Sequence, residues 1–181
     1  GASGVQFGTL AACSGQSGLV PELRSRVLEK ISAGVLAVKN SLISPTGFPF
    51  KVAQVEGTLS EKSVYESRKR RCDLALLQVN YITPEGKLGF RCPAEPVDTF
   101  VAKGGRGKNT EGRVCLCNAL LSAAGYAQIR PDGYEEPSVV TLGEDLSSVK
   151  ELLRGLSAGQ DSFTIGKALQ YIKRGLSALP G

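Results

Sequence analysis

The sequence predicts an α/β protein, and three observations carry that prediction. The opening 50 or so residues follow a strand–helix–strand pattern, with apolar residues at helical spacing between two short apolar runs. The middle, 57–135, is a succession of short elements, turns and cysteines. Two amphipathic helical stretches follow, in "EDLSSVKELLRG" and "TIGKALQYIKRG". At 181 residues the chain is long enough for one core of ordinary size, or one and a part. Its 41% hydrophobic and 22% charged content is that of an ordinary globular protein.

Taken in order, "SGVQF" (3–7) reads as a short buried strand that halts at Gly8–Thr9. Pro21 suits a first helical position, and Leu23, Val27, Leu28 and Ile31 recur on one helical face to about Ser32. Gly34 is placed to end that helix in the left-handed conformation. "VLAVK" (35–39) is apolar and suits a second strand. Pro45 and Pro49 make "SPTGFPF" (44–50) a stiff loop carrying Phe48 and Phe50. That loop is either a connector or a lid that excludes water from a barrel mouth. Ser60 can cap a short helix over "EKSVYES". "LLQVNYI" and "KLGFRC" flank "TPEG", predicting a hairpin with Gly86 in its turn. "EPVDTFVAKGG" and "NALLSAAG" read as helices stopped by Gly104 and Gly125, the second capped by Asn118. "SVVTL" (138–142) is a strand candidate, and the two C-terminal helices each end at a glycine.

The chain has no His, so the commonest general base at neutral pH is absent. The net charge of +5 gathers in Arg68, Lys69, Arg70 and Arg71, and in Lys103, Arg106, Lys108 and Arg113. No aromatic residues interleave with these runs, which reads as solvated surface rather than a nucleic-acid site. No apolar run reaches the roughly 18–20 residues of a membrane span, and an odd count of five cysteines does not fit a secreted disulfide framework. The expected compartment is the cytoplasm.

Gly8 allows close approach of the backbone to an anion, and Thr9 adds an N–H and a hydroxyl, with Gln6 two residues earlier on the same strand face. By itself this is a strand end or a weak phosphate cradle. The opening "GASGVQFGTLAACSGQSGL" resembles the last barrel strand of the nitronate monooxygenase family, the 2-nitropropane dioxygenase-like flavoproteins. The resemblance continues, in order, through "SPTGFPFKVAQVEGTLS", "RCDLALLQ", "GFRCPAEPVDTFVAKGG", "GRVCLCNALLSAAG" and "DGYEEPSVVTLGEDL". It implies the C-terminal part of a TIM (β/α)8 barrel, its last strand and helix, over 1–56. A cysteine-containing subdomain with C-terminal helices would follow over 57–181. It also implies an FMN cofactor whose phosphate meets Gln6, Gly8 and Thr9, a nitronate substrate and O2. The rest of the barrel would be needed as a partner segment, leaving the chain alone inactive. The family's usual His base has no counterpart here, so the catalytic residue is left unassigned. An FMN-dependent enoyl-thioester reductase shares this barrel and is the nearest alternative; a non-catalytic module held by a metal is the other.

That last alternative rests on Cys72, Cys92, Cys115 and Cys117, which all fall in the middle region. In an extended segment Cys115 and Cys117 point to one side, just before a helix N-terminus that favours thiolate. With Cys72 and Cys92 they can complete a four-sulfur shell for zinc or an iron–sulfur cluster. Four small buried residues are the plain alternative. Cys13 is expected to be a core thiol. "GGRGKNT" lacks the spacing of a phosphate-binding loop and follows a helix rather than a strand.

Overall fold

A computed structural model describes residues 6–177. In chain order its elements are α1 (Gly8–Ala12), α2 (Pro21–Ala33), β1 (Val38–Ile43), β2 (Pro49–Ala53), α3 (Lys62–Ser67), β3 (Val79–Ile82), β4 (Leu88–Arg91), α4 (Val97–Ala102), α5 (Leu116–Ala123), α6 (Ser147–Arg154) and α7 (Ile165–Ser177), with a 3-10 turn at Gly107–Thr110. Two compact units result, Gly1–Val38 with Leu142–Gly181, and Lys39–Thr141. The sequence reading divides the chain at 56/57 instead. The grouping of the C-terminal helices with the first two is made by contacts between distant segments.

In the first unit α2 packs on α6, and α1 packs on α6 and α7. The predicted face of α2, Leu23, Val27, Leu28 and Ile31, is buried. Gly34 closes the helix at φ +73° with its N–H donating to the Ile31 carbonyl at 3.0 Å, as the sequence predicts. Val149 of α6 and Ala168 of α7 are buried as well. Three expectations change here. The strand over 3–7 lies mostly outside the described residues, and Gln6 and Phe7 are irregular. Gly8 and Thr9 begin α1 rather than end a strand. Helix α7 runs through Gly175 to Ser177, since a glycine inside a helix costs only about 1 kcal/mol and need not end it.

In the second unit β1 and β2 pair as a hairpin, the turn closed by the Ser44 N–H donating to the Phe48 carbonyl at 2.9 Å. The strand expected over 35–39 therefore starts three residues later, and "FPF" is divided. Phe48 is 71% exposed in the turn, whereas Phe50 lies in β2 and packs partly buried against the core. On one side β1 meets 112–114 through the Val114 N–H to the Ile43 carbonyl (3.0 Å). On the β2 side, Ala53 donates to the Val140 carbonyl (2.9 Å). The segment 138–142 is thus extended and buried at Val139, Val140 and Leu142 but forms no ladder. Leu42, Val52, Leu59, Val114, Ala119 and Val139 form the core of the unit. Ser60 does not cap α3: its hydroxyl accepts the Val55 N–H at 2.9 Å, and Glu61 holds the cap position.

The second predicted hairpin is present. β3 and β4 pair antiparallel, with Asn80 opposite Phe90 and Ile82 opposite Leu88, and Gly86 takes φ +77° in the turn. Its inner face is held by the Arg91 guanidinium, stacked 4.5 Å from the Tyr81 ring and 5.6 Å from that of Phe100. The described elements contain two two-stranded sheets and do not themselves display a section of barrel. No helix among the described residues is long and apolar enough to cross a membrane.

Leu59 is 1% exposed and central to the small core of the second unit. Leu59→Ala is expected to lower stability by about 2–5 kcal/mol in urea unfolding, while Leu76→Ala, at a site 72% exposed, changes it by less than about 0.5 kcal/mol. Equal effects of the two would remove Leu59 from the core.

Candidate functional site

The run Arg68–Cys72 organises the second unit. Beyond α3 the backbone is extended at Arg68 (φ −60°, ψ 141°), and burial alternates: Arg68, Arg70 and Cys72 turn inward, while Lys69 and Arg71 face solvent. The Arg70 guanidinium donates to three carbonyls, those of Glu95 (3.0 Å), Thr110 (3.2 Å) and Pro93 (2.6 Å). Burial lowers its pKa from the ordinary guanidinium value. Arg68 donates to the Tyr65 and Arg113 carbonyls and lies over the Tyr65 ring at 3.7 Å. Outward-facing Lys69 pairs with Asp132. In the second basic cluster Arg106 and Lys108 are exposed, but Lys103 and Arg113 serve the structure too. Arg113 donates to the Ser44 carbonyl at 2.8 Å, and Lys103 pairs at 2.9 Å with Glu95, a carboxylate only 2% exposed. The expectation of a solvated charged surface fails for these residues because buried loop carbonyls need donors that the sparse ladders do not supply.

This stitching brings the cysteine-bearing segments together. Arg70 fastens the extended segment before Cys72 to the 93–95 loop after Cys92, and Arg68 fastens it to Arg113, two residues before Cys115. Cys72 and Cys117 both act electrostatically on Cys92, and both act on Cys115. The Gln78 side-chain amide reaches the Cys72 sulfur at 3.7 Å. The Cys115/Cys117 fork differs from its prediction. Helix α5 starts earlier than expected, so Cys115 is its N-cap and Cys117 lies in its first turn. Burial pushes the Cys115 thiol up to about 12 and raises Cys92, so the helix terminus does not make Cys115 a thiolate. Among the described residues no group of three or more His, Cys, Asp or Glu side chains stands at metal-ligand geometry, and all five cysteines are free of disulfides. Cys13 is fully buried, as expected of a core thiol.

Beside the cysteines lies a polar cluster that the sequence reading overlooks. Asn118, expected as an N-cap, sits inside α5 with no exposed surface and donates to the Asp73 carboxylate at 2.7 Å. Arg130 pairs with the same carboxylate and holds the Asp73 carboxyl below its ordinary range. Glu136 is 3% exposed, and burial pushes its carboxyl up to about 7. Its Oε2 and the Asn118 Oδ1 are both buried without a partner, so a proton on Glu136 supplies a donor where two oxygens lack one. The signal for this cluster in the sequence is weak: four polar residues spread from 73 to 136.

Gln6, Gly8 and Thr9 belong to the first unit. Gly8 is exposed at the first position of α1, and nothing lies within 4 Å of where a Cβ would stand. The first turn carries no acidic residue and no side-chain cap. The Thr9 hydroxyl accepts the Gly143 N–H at 2.8 Å, which brings that loop beside the turn. Gln6 is exposed.

Comparison with protein-family models, curated proteins and solved structures yields no match.

Two outcomes follow from the inward arginine and the buried carboxyl. Arg70→Met, which keeps the stem and removes the donors, is expected to destabilise the protein by about 2–4 kcal/mol, against less than about 0.5 kcal/mol for outward-facing Arg71→Gln; parallel losses would refute the stitching role. Glu136 ionises from pH 4.5 upward when unfolded but only near pH 7 when folded. Its contribution to stability is therefore lost as pH rises from about 4.5 to about 7 and is constant above. In denaturation curves Glu136→Gln should gain on the wild type across that window, and parallel pH profiles would disprove the buried neutral carboxyl.

Proposed function

We propose that this chain is the C-terminal part of an FMN-dependent nitronate-oxidising flavoenzyme. The ordered run of sequence blocks from "GVQFGTLAACSG" to "DGYEEPSVVTLGEDL" carries the reading. The local geometry at its first block is compatible with it. Gly8 leaves the backbone approachable, the first turn of α1 holds no carboxylate to repel a phosphate, and Thr9 anchors the Gly143 loop alongside. These residues fit the phosphate of FMN, with Gln6, Gly8 and Thr9 holding it. When bound, FMN supplies the redox chemistry by which a nitronate and O2 give a carbonyl compound and nitrite. This chain's contribution is to bind and orient the cofactor's phosphate. The walls of the flavin ring and the catalytic base belong to other strands of the barrel in this reading. The enoyl-thioester reductase alternative uses the same phosphate cradle and differs in substrate.

The 181-residue chain alone is expected to be colourless and inactive on nitronates. In a polypeptide carrying the remaining barrel strands, Gly8→Val should weaken FMN binding at least tenfold, read as flavin absorbance retained on purification. Gly18→Ala, also in open space, serves as the control. Because the Gly8 site has room for a side chain, loss of flavin would not reflect misfolding of α1. Full flavin retention in Gly8→Val would rule out the cradle. Turnover of an enoyl thioester with NADPH, and none of a nitronate, would replace the substrate class while leaving the cradle standing.

A further inference from the structure

We propose that the arm 128–136 is a pH-sensitive strap within the 39–141 unit. It closes on α5 and the Arg68–Asp73 segment through the Asp73, Asn118, Arg130 and Glu136 cluster while Glu136 keeps its proton, and it lifts as Glu136 ionises. The inference concerns the second unit alone and does not rest on the flavin reading.

The first support is the geometry of the arm. The Arg130 N–H donates to the Tyr134 carbonyl at 2.8 Å and the Glu136 N–H to the Gln128 carbonyl at 3.1 Å, with Ile129 bridged antiparallel to Glu135. Side chains alternate across such a pairing, so Arg130, Tyr134 and Glu136 share one side, and Ile129 and Glu135 take the other. Burial follows the same alternation: Ile129 and Glu135 are exposed, Arg130 and Tyr134 half-buried, and Glu136 buried. The inner side is tied down by polar contacts. The Ser122 hydroxyl donates to the Glu136 carbonyl at 2.7 Å, and the Tyr134 hydroxyl accepts the Lys69 N–H at 3.0 Å. Arg130 pairs with Asp73, and Lys69 with Asp132. Arg130 and Asn118 reach the same Asp73 oxygen. Ser122 stands one helical turn after Asn118 on α5, which brings the Glu136 end of the arm beside Asn118.

The second support is charge. Asp73 takes the Arg130 guanidinium and the Asn118 amide, whereas the Glu136 Oε2 is buried with no partner. A carboxylate there is desolvated without a donor, a cost that the proton removes. The charged and titratable groups facing Glu136 are Arg68 and Asp73 from the extended segment, Arg130 and Tyr134 from the arm, and Cys115 at the N-cap of α5. Asp73 repels a charge on Glu136, and Arg68 and Arg130 attract it. Arg68 spends donors on the Tyr65 and Arg113 carbonyls, and Arg130 on Asp73. Desolvation outweighs the attraction and pushes the Glu136 carboxyl up to about 7 from 4.5. The docked arm is therefore favoured fully below the open-arm value, loses that advantage as pH rises to about 7, and changes no further above. A two-stranded hairpin has little stability of its own, so the arm can lift while the aliphatic core stays folded.

The test is amide hydrogen exchange of the full chain between about pH 5 and about pH 8, corrected for the intrinsic exchange rate. The Arg130 and Glu136 amides report the arm, and the Ala53 and Leu59 amides, bonded to the Val140 and Ser138 carbonyls, report the core. The arm amides are expected to exchange through openings that leave the core amides protected. Their protection should fall by up to about tenfold per pH unit below about pH 7 and level off above it. Glu136→Gln, close in shape and unable to ionise, should hold arm protection constant across the range. Equal protection of arm and core at every pH, or the same slope in Glu136→Gln, would overturn the strap. So would a flat arm profile in the wild type, the result expected if ionised Glu136 instead took the buried, unpartnered Arg130 Nε as its donor. If Glu136→Gln does not fold, the wild-type comparison of arm with core decides.

Discussion

The second unit depends on a guanidinium turned inward. Arg70 donates to three carbonyls of two loops, and without it the 93–95 and 110–113 segments would leave backbone acceptors under-satisfied beneath the surface. A unit with only two-stranded sheets cannot satisfy its backbone through ladders alone. The planar, permanently charged Arg side chain, with five donors, replaces part of a missing strand. The Arg91 stack on Tyr81 and Phe100 and the Arg113 bond to the Ser44 carbonyl repeat the device elsewhere in the unit. Arg68, Arg70, Arg91, Lys103 and Arg113 are therefore parts of the architecture.

That arrangement also accounts for where the chemistry-bearing residues gather. Cys72 follows Arg70 by two residues on an extended backbone and shares its inward side. Cys92 precedes the loop that Arg70 grips, and Cys115 follows the strand segment that Arg68 grips. Glu95 supports the same place. One of its oxygens accepts the Cys92 N–H at 3.2 Å, and the other pairs with Lys103. The raised thiols of buried Cys92 and half-buried Cys115 argue against a nucleophilic role for them and favour a structural one.

The two units carry separate roles in the proposed enzyme. The first presents the turn Gly8–Thr9, with the Gly143 loop tied to it by the Thr9 hydroxyl. The second holds the cysteine and carboxyl clusters.

The sequence by itself determined the elements whose signals are local. Helix α2 was legible from Pro21, its apolar face and Gly34. The hairpin of β3 and β4 was legible from two apolar runs about Gly86. The core thiol Cys13 fitted its apolar surroundings. Tertiary structure alone decided what depends on partners distant in the chain. Whether Arg70 faced water or three carbonyls was set by loops some 23 to 40 residues away. Asn118 became a buried donor to Asp73 rather than a cap because α5 begins before it. Glu136 carries no local signal in the sequence, and burial alone pushes its carboxyl up to about 7. The reason is physical: propensity and periodicity act over a few residues, whereas desolvation and hydrogen-bond satisfaction are settled by whatever the fold brings alongside.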